Sequence, residues 1–176
     1  MIKFFKALQG LFVIFLLALS SLTFAQWHDV KELGLRKAPP LELMGLDGSN
    51  IQLSQNLGKI VLINFWATWC EPCKDEFSEL IYLQERYRDS GLVILAINLA
   101  ESKPRIRTFL KANLIPENAL KIAMDNSSLA YKAWKARGIP TTYLINQQGV
   151  IEKYWMGQID ANGPEFIQPI TKLLQR

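Results

Sequence analysis

Cysteine and histidine are scarce in this chain. Its 176 residues hold two cysteines, Cys70 and Cys73, and one histidine, His28. Two thiols and one distant imidazole cannot close a four-ligand zinc site, so no metal is expected. Strong charge of one sign is also missing: 20 basic and 16 acidic residues give a formal charge of +4. So mild an excess, with no basic face, does not argue for nucleic acid as a partner. No glycine-rich phosphate loop, internal repeat, low-complexity tract or Gly/Ser linker is present, so neither a nucleotide nor a solenoid is implied. Long apolar runs are lacking too. Even from Gly10 to Ala25 the stretch falls short of the roughly 20 residues that a spanning helix needs.

That stretch has three parts. Lys3 and Lys6 form a short positive region, Leu11 to Leu19 is unbroken apolar sequence, and Ser20, Ser21 and Thr23-Phe24-Ala25 supply small residues. The pattern is that of a secretory signal over residues 1–25, with cleavage expected after Ala25. The alternative is retention as an N-terminal anchor. Either way the body of the protein is expected outside the cytoplasm, periplasmic or otherwise extracytoplasmic, soluble after cleavage or tethered to the inner membrane. Removal takes away Lys3 and Lys6 and no acid, so the formal charge falls from +4 to +2. About 150 residues remain, enough for one domain with its own core. Residues 26–37 read as a polar, loosely ordered lead-in, and 38–176 as the domain.

Periodicity and punctuation order the elements. Leu41–Met44 and Ile51–Leu53 flank Asp47-Gly48, a hairpin signal. Ser54 to Leu57 reads as a helical turn ended by Gly58, and Ile60–Phe65 as the first core strand. Phe77, Leu80, Ile81, Leu83 and Tyr87 recur near helical spacing in a helix from Asp75 to Arg88. Leu92–Leu99 is an apolar run broken only by Asn98, a strand buried on both faces. Ser102 and Pro104 start a helix through Ala112, and Ile122–Met124 is a short strand. Asn126 is placed to cap a helix over Leu129 to Arg137 that stops at Gly138. Thr141–Ile145 and Val150–Met156 form a hairpin around Asn146-Gln147-Gln148-Gly149. The last helix spans Glu165 to Leu174, and Pro169 inside it predicts a kink or a later start. The expected class is α/β, with a mixed sheet between helical layers.

The two cysteines lie in Trp66-Ala67-Thr68-Trp69-Cys70-Glu71-Pro72-Cys73-Lys74, where a strand meets a helix. Closing so short a loop stabilises by only about 2 kcal/mol, so the pair is a poor structural staple and redox chemistry explains it better. Cys70 lies at the helix N-terminus, where free N–H groups and the dipole favour a thiolate, so it is the expected nucleophile. Cys73, one turn inside, is placed to attack the mixed disulfide and release the substrate. Pro72 suits a first helical turn because its missing N–H costs nothing there. Glu71 puts negative charge beside the Cys70 thiolate, partly offset by Lys74; a less stabilised thiolate makes a stronger electron donor. Otherwise Glu71 is simply a solvated acid at a helix start.

These residues, with Gly138-Ile139-Pro140-Thr141-Thr142, resemble the two active-site segments of the thioredoxin superfamily. The N-terminal hairpin and the helix inserted after Ala100-Glu101-Ser102-Lys103 make the chain more similar to the extracytoplasmic TlpA/ResA-like branch. The resemblance spans Ala38 to Leu174. It implies a thioredoxin-like three-layer fold with a central mixed β-sheet, and thiol–disulfide oxidoreductase activity in the reducing direction. It also implies a cis Pro140 packed against the disulfide, beside a backbone edge where an extended substrate pairs by strand addition. Ile139 would influence which thiols approach, and Trp66 and Trp69 would divide between core packing and an apolar substrate rim. Thioredoxin keeps a buried Asp where this chain has Asn64, and the ResA-like pattern has a glutamate in the setting of Glu101. Glu101, beyond the strand Leu92–Leu99, is therefore the expected proton acceptor for Cys73; otherwise it is a surface acid at the start of a helix.

No cofactor beyond the Cys70–Cys73 disulfide is expected. The resemblance implies exported disulfide-containing clients, apocytochrome c among them, and a membrane thiol–disulfide transporter as electron donor. A monomer is expected. Two alternatives use the same fold, a periplasmic disulfide oxidase or isomerase and a non-redox module that binds apoproteins. A peroxidase of peroxiredoxin type wants a threonine three residues before its reactive cysteine, where Ala67 stands. His28 reads as a solvated residue without a partner pattern.

Overall fold

The computed structural model describes residues 25–176. Residues 1–24, all but the last of the expected leader 1–25, lie outside the described residues. Strands β1 (Gln26–Asp29), β2 (Glu42–Gly45), β3 (Asn50–Gln52), β4 (Ile60–Trp66), β5 (Leu92–Leu99), β6 (Lys121–Asp125), β7 (Thr141–Ile145) and β8 (Ile151–Met156) form one eight-stranded sheet in the order β1-β8-β7-β4-β5-β6-β2-β3. β4, β5 and β6 run parallel, and the remaining pairings are antiparallel. The helices are α1 (Glu71–Tyr87), α2 (Lys103–Ala112), α3 (Leu129–Ala133) and α4 (Pro164–Leu174).

β4 is buried at all 7 of its positions because both faces of the sheet are covered. On one face Phe77 and Leu80 of α1, Ile106 of α2 and Phe166 and Ile170 of α4 pack on Leu62, Ile94 and Ala96. On the other, Val61, Ile63, Phe65 and Leu95 meet Leu41, Leu53, Ala130 and Trp134. The architecture is the expected three-layer α/β fold, with the hairpin β2–β3 paired to β6.

Strand register gathers three loops at one edge of the sheet. Trp66 pairs with Asn98, so the loop after β4 and the turn after β5 share that edge. Phe65 pairs with Thr141 on the other side, which brings Pro140 to the same place. Ala100 has φ 55, a left-handed conformation that reverses the chain after β5, and its N–H donates to Asp125.

Three expectations are corrected. The lead-in is ordered: Gln26–Asp29 pairs along its length with β8, and Val30 and Leu33 are buried. Trp27 stacks on Phe166 at 5.0 Å and donates from Nε1 to its carbonyl. A four-residue strand is too short to show an alternation, so only its tertiary partners reveal it. The helix expected over Leu129 to Arg137 ends at Ala133, and Asn126 does not cap it. Ser128 is the N-cap residue, at φ 57, while the Asp125 carboxylate accepts from the Tyr131 N–H. Finally, α4 starts at Pro164, before Pro169 rather than after it, and so the later start is not taken. Phe166, Ile170 and Leu173 bury one stripe of it, and that packing outweighs the missing hydrogen bond.

Candidate active site

The loop after β4 closes tightly. Cys70 N–H donates to the Ala67 carbonyl, and the Cys70 carbonyl accepts from Cys73 and Lys74 as α1 begins. Cys70 is thus the N-cap residue, with Glu71 and Pro72 in the first turn. The two cysteines form a disulfide in which Cys70 is 5% exposed and Cys73 fully buried. That gradient follows from position, since Cys73 lies under the helix on the packed face. Trp66 is buried against Phe77 and Phe109, whereas Trp69 is 59% exposed beside the disulfide.

Glu71 and Lys74 form an ion pair at 2.6 Å on the surface. The lysine therefore neutralises the acid rather than supporting a Cys70 thiolate, although an exposed pair contributes little to stability. Across the edge, Ile139–Pro140 is a cis peptide bond, and Pro140 is buried while Ile139 is partly exposed. Gly157 N–H donates to the Pro140 carbonyl.

Glu101 is held by donors on both of its oxygens. Its Oε2 accepts from Thr68 N–H at 2.7 Å and from Asn98 Nδ2 at 2.9 Å. Its Oε1 accepts from Thr68 Oγ1 at 2.6 Å and Arg105 Nε at 2.7 Å. Burial pushes this carboxyl up, but the hydrogen bonds from Thr68, Asn98 and Arg105 outweigh it, and the net shift is downward. Four donors and a lowered proton affinity describe a carboxylate held in its ionised form, which fixes the Thr68 backbone. None of its hydrogen bonds goes to a cysteine.

A carboxyl that sequence reasoning passed over lies on α1. Glu76 is fully buried one turn beyond Cys73, and residues at that spacing have Cβ atoms about 5–6 Å apart. Its Oε1 accepts from Asn64 Nδ2 at 2.7 Å and its Oε2 from Ile159 N–H at 3.2 Å. Asn64 also donates to Thr142. Burial pushes the Glu76 carboxyl up to about 8, against the two hydrogen bonds. Asn64 is thus no empty substitute for an acid; it supports an acid supplied by the helix. The signal was available, because Glu76 sits three residues after Cys73 and four before Leu80, on the stripe that must be buried. Thr68, Asn98 and Arg105 were also missed, and nothing local marks them.

His28 stacks on Tyr154, away from this edge. Among the described residues no cluster of three metal-ligating side chains occurs, and no helix is long and apolar enough to cross a membrane.

Residues 35–154 match the AhpC/TSA family. The chain belongs to that family. Thiol-disulfide oxidoreductase ResA of Bacillus subtilis is 35% identical over 68% of this chain and 65% of its own length, just under two thirds. Thioredoxin-like protein YneN of the same organism is 31% identical, over 86% of this chain and 90% of that protein. Among solved structures, a protein assigned as thiol:disulfide interchange protein DsbE of Chlorobium tepidum superposes with a TM-score of 0.71 at 29% identity, covering 78% of this chain and 95% of that one. The chain is a thioredoxin-like thiol–disulfide oxidoreductase of the ResA and DsbE type.

Proposed function

We propose that this oxidoreductase works as a reductase of protein disulfides outside the cytoplasm. The Cys70 thiolate attacks a client disulfide, forming a mixed disulfide and expelling the client's second sulfur as a thiolate, which takes up a proton. Cys73 then gives up its proton and attacks the Cys70 sulfur. The Cys70–Cys73 bond forms, the other client thiol leaves, and two electrons have passed to the client. Glu76, one turn from Cys73, is the better acceptor for that proton in its ionised form, because burial brings its proton affinity toward that of a thiol; Glu101 holds the loop that presents Cys70. Trp69, Ile139 and Pro140 line the approach.

One observation carries the direction. Glu71, between the cysteines, is a carboxylate, and Lys74, the cation beside it, is already paired to it. The helix N-terminus is then the main support for a Cys70 thiolate, and a weakly stabilised thiolate makes a donor. Exported proteins are the clients this reading favours, apocytochrome c among them, with a membrane thiol–disulfide transporter restoring the dithiol. The protein needs no cofactor beyond that dithiol and acts as a monomer.

The test is a redox titration of the Cys70–Cys73 couple against dithiothreitol or glutathione. A potential near the thioredoxin value of about −270 mV is expected, and one above roughly −180 mV would make the protein an oxidase or isomerase. For the client, deletion should lower holocytochrome c and a thiol reductant in the medium should restore it. Normal cytochrome levels in the deletion would assign another client.

A further inference from the structure

Arg105, in the first turn of α2, is held at one nitrogen and open at the other two. Its Nε donates to Glu101 Oε1 at 2.7 Å and to Thr68 Oγ1 at 3.1 Å. No described residue accepts from its two terminal amino groups, and the side chain is 60% exposed, against 4% for Glu101. The carboxylate that fixes it is thus hidden behind the loop and occupied by Thr68 and Asn98. What reaches solvent is an oriented fork of N–H donors. The planar edge that remains matches a second carboxylate, and because the side chain is already fixed, less rotamer freedom is lost on binding. Trp69 follows Thr68, which accepts from Arg105, and its exposed ring adds an apolar surface to the same loop. Glu71, the nearest acid in the chain to Cys70, is tied to Lys74.

The sheet sets the spacing. β7, β4 and β5 are consecutive, so Pro140 and Arg105 flank the Cys70 loop on opposite sides. Two strand spacings of about 4.8 Å separate β7 from β5, roughly three residues of extended chain, and Arg105 stands just beyond the end of β5 on α2. A client that crosses the loop from Pro140 with its cysteine over Cys70 then meets Arg105.

We propose that Arg105, with Trp69, is a recognition site for an acidic side chain of the polypeptide client, two to four residues from the cysteine that Cys70 attacks and on the side away from Pro140. This rests on the proposed reductase activity. It makes Arg105 a specificity residue outside the electron transfer itself.

The experiment measures oxidation of the reduced full chain by disulfide-bridged peptides with blocked termini. The peptides carry Glu or Gln three residues from the cysteine, and bis-hydroxyethyl disulfide serves as a small neutral substrate. The Glu peptide should react about threefold faster or more, with the ratio falling toward one at high salt. Arg105→Gln should bring the ratio to one at low salt, and Arg105→Lys should keep part of it as a point charge. Arg105→Gln also disturbs Glu101, so each rate is divided by that variant's rate on the neutral disulfide. A merely structural arginine would slow all three substrates together and leave the Glu/Gln ratio intact, which overturns the proposal. Equal rates on both peptides in the unaltered protein overturn it as well. Failure to reduce the neutral disulfide at all would instead overturn the reductase reading.

Discussion

Asn64 donates a hydrogen bond of 2.7 Å to Glu76, joining the central strand to the active-site helix one turn below Cys73. Through Ile159 the same carboxyl also reaches the loop after β8. A single buried acid thus ties together strand, helix and loop at the place where Cys73 must change its protonation state.

Glu76 is expected to make stability depend on pH. Its folded pKa, about 8, lies above the ordinary glutamate value of 4.5, so the folded state holds a proton that the unfolded state has lost. Stability from this group is fully present below about 4.5 and is lost as pH rises toward 8. Chemical denaturation of the oxidised protein from pH 5 to 9 should show this decline, and Glu76→Gln should flatten it. The same variant should accumulate mixed disulfide, because resolution by Cys73 loses its acceptor.

Glu101 has the opposite sign. Its folded pKa is lowered, so its contribution is present above the unfolded value and is lost as pH falls through the folded one. Glu101→Gln places an amide against donors and leaves Arg105 unpaired, which should cost about 2–3 kcal/mol at neutral pH. Urea unfolding checks this. Mixed disulfide should not accumulate in this variant beyond the unaltered protein; selective accumulation would return the role of base to Glu101.

Cys70 is expected to be the attacking thiol. Cys73→Ala should trap a client as a mixed disulfide visible by mass spectrometry, and Cys70→Ala should not. Equal trapping by both would remove the assignment that rests on the N-terminus of α1.

Trp27 tests the ordered N-terminal strand. It stacks on Phe166 and meets Trp155 edge-on at 5.5 Å, so Trp27→Ala should destabilise by about 3 kcal/mol, as large aromatic truncations do. A change under about 0.5 kcal/mol in urea unfolding would mean that β1 contributes little to the fold.

The sequence by itself determined the features whose causes are local. Leu92–Leu99 is a strand because seven of its eight residues, all but Asn98, are apolar and need two covered faces, and the strand observed has those bounds. Cys70, Pro72 and Cys73 announce a helix start with a dithiol through spacing alone. The tertiary structure decided what depends on distant partners. Glu76 draws its hydrogen bonds from residues 12 and 83 positions away, and Glu101 reaches Thr68 at 33, so neither environment is written near the residue. Both are glutamates beside a redox pair. Burial against two donors leaves one holding a proton, while four donors leave the other a fixed anion, and that difference arises only when the strands come into register.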